Sequence, residues 1–122
     1  MATKRYLLKN ASLPDGSTSD VLIADGLIKN RAVNIIDNDA LVIDVKGSVL
    51  LPGLVDLHTH LREPGREDAE TVLSGSRSGA KGGFTALSAM ANTSPVADNA
   101  GVVEQVYRLG QEAGLLDVFP IG

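Results

Sequence analysis

From residue 54 onward the chain alternates two periodicities, and this alternation restricts its fold more than any other property of the sequence. Residues 54–60, in which Leu54, Val55 and Leu57 are apolar, form a short run that ends in the turn Glu63-Pro64-Gly65 and reads as a β-strand. Residues 67–81 place Ala69, Val72, Leu73 and Ala80 at roughly helical spacing, and Gly82-Gly83 stops them as helix C-termini commonly stop. Residues 84–90 return to strand character, followed by the polar loop Ala91-Asn92-Thr93-Ser94-Pro95. A second helix begins near Asp98 or Asn99, either able to cap it. It runs through Val102, Val103, Val106, Tyr107 and Leu109 to about Ala113, and Gly114 closes it. Residues 116–121 start a third strand. Such an order predicts parallel βαβ units joined by right-handed crossovers.

The first fifty residues are built differently. Tyr6-Leu7-Leu8, Val21-Leu22-Ile23 and Leu27-Ile28 are short apolar pieces separated by the turn formers Pro14-Asp15-Gly16 and Asp25-Gly26. The second turn is a hairpin signal, because a two-residue connection needs positive φ. Residues 33–36 and 41–45 read as further strands on either side of Asp37-Asn38-Asp39. The character changes at Leu50-Leu51-Pro52-Gly53, so the expected division is a small β-sheet module over residues 1–51 and an α/β portion over 52–122. A closed eight-stranded α/β barrel takes roughly 250 residues, which two βα units and the start of a third strand do not supply. With Asp117-Val118-Phe119-Pro120-Ile121-Gly122 reading as a strand cut midway, the expectation is a piece of a longer protein. A complete small α/β binding module is the alternative.

Composition narrows the chemistry. Aromatic residues make up 3% of the chain, so the core is aliphatic, and a net charge of −4 without a basic run or stripe argues against nucleic acid or an acidic membrane as partner. No apolar stretch has the length of a signal peptide or a membrane span, which makes the cytoplasm the default location. Cysteine is absent. Disulfides and thiolate ligands are therefore excluded together, and a transition-metal site has to use His and carboxylate.

The only two histidines, His58 and His60, stand two residues apart on the first α/β strand. On a regular strand Asp56, His58, His60 and Arg62 would share one face, putting two imidazoles beside a guanidinium at a strand end, where barrel active sites form. Neutral imidazole is a common Zn²⁺ ligand, although a catalytic zinc usually has three protein ligands and one open position. The bland alternative is a pair of satisfied polar residues. Asp56 either accepts the second N–H of a ligating ring or bonds backbone amides. Arg62 either grips a carboxylate by two parallel hydrogen bonds or is a solvated surface cation. Asn92, just past the second strand, could reach a ligand held over the first; by spacing alone it is more often a turn former. Gly82-Gly83 precedes a strand, so it offers no helix N-terminus to a phosphate, and Lys81 reads as a solvated helix-end cation.

Residues 52–65, Pro-Gly-Leu-Val-Asp-Leu-His-Thr-His-Leu-Arg-Glu-Pro-Gly, resemble the first barrel strand of the cyclic amidohydrolases, and within them the dihydroorotases of the longer bacterial class. Gly82-Gly83-Phe84-Thr85 followed by Met90-Ala91-Asn92-Thr93-Ser94-Pro95 is similar to that family's second strand and loop, with Ala91 where the family usually has proline. The resemblance spans essentially the whole chain. It implies a β-sandwich portion over residues 1–51 and, over 52–122, the first two βα units and start of the third strand of a metal-dependent-hydrolase (β/α)8 barrel. It implies zinc, one or two ions per full-length subunit, on His58 and His60, with Arg62 and Asn92 holding the substrate carboxylate. The implied reaction is reversible conversion of N-carbamoyl-L-aspartate to L-dihydroorotate in pyrimidine (UMP) synthesis. The catalytic aspartate and remaining ligands would come from later strands, so this chain alone is expected to be inactive. A homodimer, with aspartate transcarbamoylase as a further candidate partner, is implied in the same way. The rivals are an allantoinase or dihydropyrimidinase, which generally lack an arginine at the place of Arg62, and a non-catalytic homologue that partners aspartate transcarbamoylase.

Overall fold

Asp25 and Gly26 both take positive φ, 55° and 71°, in the computed structural model, which describes residues 4–122. That is the geometry of a two-residue hairpin matched to strand twist, and it joins β2 (Thr18–Ala24) to β3 (Leu27–Ala32). With β1 (Arg5–Ser12) and β4 (Leu41–Asp44) these strands form a four-stranded sheet in the order β3-β2-β1-β4. β1 runs antiparallel to β2 and parallel to β4. Leu7, Leu22 and Ile35 are buried together, with Ala40 packed against them; burying an aliphatic side chain of this size contributes about 2 kcal/mol. This sheet belongs to the first of two units, Met1–Pro52 and Gly53–Gly122.

Residues 33–36 do not form the strand expected of them. Asn34 sits in the left-handed region at φ 60°, which breaks an extended run, and the segment turns so that Ile35 enters the core while Val33 and Ile36 stay exposed. The cause lies on β2. Asp20, 4% exposed, accepts the Ile35 amide at 3.0 Å through Oδ2 and the Asn10 amide at 3.0 Å through Oδ1. Lys9 Nζ lies 2.7 Å from the same Oδ2. The Asn10 bond holds an irregularity in β1, where pairing passes from Leu8↔Val21 to Ala11↔Ser19 and Asn10 takes φ 60°. One carboxylate thus satisfies two amides that the ladder leaves out. The ion pair with Lys9, aided by both amides, holds the Asp20 carboxyl below its ordinary range against the opposing effect of burial.

In the second unit β5 (Leu54–Thr59), β6 (Phe84–Ala89) and β7 (Asp117–Pro120) form a parallel sheet in that order, with α1 (Val72–Lys81) and α2 (Ala100–Ala113) as the crossovers. Leu61, Val72, Leu87, Ala89, Val106 and Val118 make the core, with Phe84, Leu109 and Leu116 around it. Gly110 is required for this packing, since a Cβ there would stand 2.6 Å from Val118 Cβ. The α2 ends match the sequence: Asn99 Oδ1 accepts the Gly101 and Val102 amides, and Gly114 is left-handed. The α1 start does not match. The helix begins at Val72, not near residue 67, because Thr71 and Ser74 form a reciprocal capping box, while residues 62–70 are taken up by turns in which Arg62 O accepts the Arg66 amide and Arg66 O the Ala69 amide. Parallel sheets are normally covered on both faces. Here Val118 is buried, whereas Val55, Leu57 and Phe119 are all more than half exposed.

Candidate metal and anion site

β5 and β6 end side by side. Of the four residues expected to form a site, His58 lies near the end of β5, while His60, Arg62 and Asn92 lie in the loops that follow the two strands. The main correction to the sequence reading comes from β5 itself. Asp56 is paired with Leu87 and Thr59 with Ala89, so three residue steps on β5 face two on β6. This bulge inserts one residue and reverses the alternation. Asp56 consequently lines the cleft against α1 with Thr59, Leu61, Glu70 and Ser78, rather than sharing a face with the histidines. Its Oδ1 accepts the His58 backbone amide at 2.9 Å, an amide the bulge withdraws from the ladder. Of the two roles open to Asp56, the structure places it in the backbone one.

His58 and His60 remain together, with ring centroids 5.1 Å apart and planes inclined by 70°. His58 is exposed and His60 half-buried. His60 Nδ1 lies 2.9 Å from Asn92 Oδ1. His60 and Asn92 line, with Met90, Ala91 and Val96, an open concavity of about 400 Å³ beyond the ends of β5 and β6. A hydrogen bond between Asn92 and His60 was not among the sequence expectations. It follows from parallel pairing, in which Thr59 O accepts the Met90 amide at 2.9 Å and brings the two loop entrances level.

Arg62 departs from the strand it was expected to continue. β5 ends at Thr59, Leu61 turns into the core at 4% exposure, and Arg62 takes φ 60°. Face sharing by strand alternation therefore does not apply to it. The guanidinium is exposed and makes no side-chain hydrogen bond or ion pair among the described residues, leaving its donors free for an anion.

The loop that carries Arg62 is tightly held. Glu63 Oε2 accepts the amide of Val72, the first residue of α1, at 2.7 Å, supplying a carboxylate where helix amides are unpaired. Pro64 O accepts the Ser94 amide at 3.0 Å, which ties this loop to the one carrying Asn92. Gly65 sits at φ 106°, and a Cβ there would come within 2.4 Å of Ser94 O, so glycine is what allows the two loops to touch. Sequence reading recognised Glu63-Pro64-Gly65 as a turn and missed these attachments. The only signal in the sequence is a carboxylate nine positions before a helix start.

Two imidazoles at an open strand end suit part of a zinc ligand set. Among the described residues no group of three or more His, Cys, Asp or Glu side chains lies close enough to hold a metal ion. The arrangement can therefore contribute two ligands and anion donors to a site.

A family model described as dihydro-orotase-like matches residues 47–121. Similar curated proteins include the dihydroorotase of Streptomyces coelicolor, 59% identical over 118 residues, covering 97% of this chain and 28% of that protein. The dihydroorotase of Leifsonia xyli subsp. xyli is 56% identical over 122 residues, covering 100% of this chain and 28% of the relative. The chain thus spans about 28% of the length of these relatives. Among solved structures, the L-hydantoinase (dihydropyrimidinase) of Arthrobacter aurescens superposes with a TM-score of 0.73 at 24% identity over 86% of this chain and 24% of that one, which speaks for the fold. The dihydropyrimidinase of Brevibacillus agri superposes with a TM-score of 0.69 at 26% identity, over 95% of this chain and 26% of that one.

Proposed function

Since the chain belongs to the dihydro-orotase-like family, we propose that the protein it builds is a zinc-dependent dihydroorotase, interconverting N-carbamoyl-L-aspartate and L-dihydroorotate in pyrimidine synthesis. The observation that carries this reading is the grouping of His58, His60 and Asn92 at the ends of β5 and β6, with the uncommitted Arg62 guanidinium in the adjoining loop. His58 and His60 supply imidazole lone pairs to the metal. Zinc, when bound, contributes Lewis-acid activation of water and of the ring carbonyl. Arg62 receives the substrate carboxylate in a two-pronged, charge-assisted contact, and the Asn92 amide donates to the same carboxylate; together they set which ring carbonyl faces the metal.

Residues 1–51 would form part of a β-sandwich and residues 52–122 the opening of a (β/α)8 barrel, whose inner face the uncovered side of the β5-β6-β7 sheet resembles. The remaining ligands and the aspartate that moves the proton would lie elsewhere in a longer protein, so the 122-residue chain by itself would neither turn over substrate nor hold zinc tightly. Among the described residues no helix is long and apolar enough to cross a membrane. A homodimer in the cytoplasm, with aspartate transcarbamoylase as a further associate, completes the proposal.

The deciding experiment compares turnover of dihydroorotate, allantoin and dihydrouracil by the full-length protein, with its zinc content measured in parallel. Dihydroorotate as the preferred substrate supports the reading. Dihydroorotate as the poorest of the three points to an allantoinase or dihydropyrimidinase, and an intact protein without zinc or turnover points to a non-catalytic partner.

A further inference from the structure

Asn92 has been assigned so far to the substrate, yet its side-chain oxygen already has a partner. Asn92 Oδ1 stands 2.9 Å from His60 Nδ1. An amide oxygen can only accept, so that contact is a hydrogen bond only when Nδ1 carries the proton. Neutral imidazole has one N–H, and fixing it on Nδ1 leaves the lone pair on Nε2.

We propose that Asn92 is a positioning residue for His60, holding the ring in its Nδ1–H tautomer so that Nε2 is the nitrogen offered to metal. Asp56 is not the carboxylate that commonly does this for a ligating histidine, because it lies on the α1 side of the β5 bulge and its Oδ1 is occupied by the His58 amide. No comparable acceptor contacts the His58 ring among the described residues. The two histidines are therefore unequal: His60 is oriented before metal arrives and His58 is not. Asn92 also keeps its two N–H donors while Oδ1 is engaged, because acceptor and donors are separate atoms of one amide. One side chain then orients a ligand with its oxygen and serves the substrate carboxylate with its nitrogen. The loop contacts Ser94 N–H to Pro64 O and Met90 N–H to Thr59 O fix the distance between the two residues.

The inference rests on the metal reading above only for the use made of Nε2; the tautomer is measured without metal. In the metal-free full-length protein with ¹⁵N-labelled histidine, the His58 and His60 rings being assigned from His58→Gln and His60→Gln, long-range proton–nitrogen correlation at about pH 9, above the ordinary imidazole range, reports which nitrogen of each is protonated. Expected are Nδ1–H at His60 in the wild type and in Asn92→Asp, whose carboxylate still accepts, and reversion toward Nε2–H, the form free imidazole side chains prefer, in Asn92→Leu. Zinc affinity of the full-length protein should follow: near wild type in Asn92→Asp and lower by about tenfold to a hundredfold in Asn92→Leu, the usual cost of losing an outer partner of a ligand. Nε2–H at His60 in the wild type, as an amide turned to donate through Nδ2 would impose, overturns the proposal. So does a tautomer unchanged by Asn92→Leu. Zinc binding absent from the wild type, with the tautomer as expected, overturns the metal reading and leaves the Asn92 contact standing.

Discussion

Asp20 on β2 of the first unit and Arg62 in the loop after β5 of the second both stand where the backbone leaves regular strand geometry, yet the side chain of one is fully engaged inside the protein and the guanidinium of the other has no polar partner among the described residues. Asp20 accepts two amides and an ammonium and is almost completely buried. Arg62, at φ 60°, extends its guanidinium to solvent. Burying a charge is costly unless its hydrogen bonds are complete, and Asp20 meets that condition. Holding a rigidly anchored loop so that a guanidinium meets nothing gains no stability for the fold. The contrast separates polar groups that make the structure from polar groups the structure displays, and it puts His58 and Arg62 in the second class, with His60 between the two because its Nδ1 is engaged by Asn92.

The sharpest way to break that division is to remove a displayed ligand and watch stability. His58→Ala in the full-length protein should lose several kcal/mol of metal-derived transition-state stabilisation, about a thousandfold in kcat/KM at ~1.4 kcal/mol per decade, with the melting temperature of the metal-free protein almost unchanged. A metal-free protein that unfolds instead would make His58 structural. Arg62→Met should lower kcat/KM for dihydroorotate by about tenfold to a hundredfold, the worth of a charge-assisted contact. Most of the loss should appear in KM. Arg62→Lys should recover little of it, since an ammonium lacks the planar fork, and an equal loss with an uncharged cyclic amide would remove the carboxylate assignment.

The converse test falls on Asp20. Asp20→Ala leaves two amides without an acceptor and should destabilise the first unit by about 2–3 kcal/mol; the value sits at the lower end for a buried pair because Lys9, 27% exposed, can turn to water. Chemical denaturation measures it. The pH dependence has a definite sign. A carboxyl held below its ordinary value by Lys9 and two amides binds fewer protons folded than unfolded, so its contribution is complete above the unfolded value near 3.9 and is lost as pH falls through the folded one. Asp20→Asn should flatten that acid limb. An unchanged limb would show that Asp20 is not the group responsible.

The same distinction explains what could be read from the sequence. Asp25-Gly26 and Gly114 have local chemistry that only one geometry satisfies, and each adopts it, while of the two cap candidates Asp98 and Asn99 the structure uses Asn99. The histidine pair was legible because residue type and spacing coincide at a strand end. What was not legible depended on distant partners. Residues 33–36 have strand-like composition, but the Ile35 amide is taken by Asp20, fifteen positions earlier. The alternation that placed Asp56 with the histidines assumed regular pairing, and no property of Leu57 or His58 announces a bulge. Arg62 left the strand because Leu61 has a core to enter. Ala69 falls at helical spacing with Val72, Leu73 and Ala80 and so draws residues 67–71 into the expected helix, while the actual start is set by Thr71 and Ser74, with serine in place of the usual Glu or Gln of a capping box.

Glu63 offers the finest division, because it adjoins Arg62 and has the chemistry of a catalytic acid or base. Its Oε2 is already committed to the Val72 amide at the start of α1, where a negative charge also meets the positive end of the helix dipole. Glu63→Gln keeps an acceptor oxygen and removes only the charge, so it should cost about 0.3–1 kcal/mol of stability and leave the shape of the pH–rate profile intact. Glu63→Ala removes the acceptor as well, adding about 1 kcal/mol as loss of a helix-cap contact does, and should raise KM by loosening the loop that holds Arg62. A catalytic Glu63 would invert this ranking: Gln would then be as inactive as Ala, and one limb of the profile would vanish in both. Comparing the two variants by denaturation and by pH–rate measurement therefore decides whether the boundary between displayed and engaged groups falls between two consecutive residues, Arg62 and Glu63.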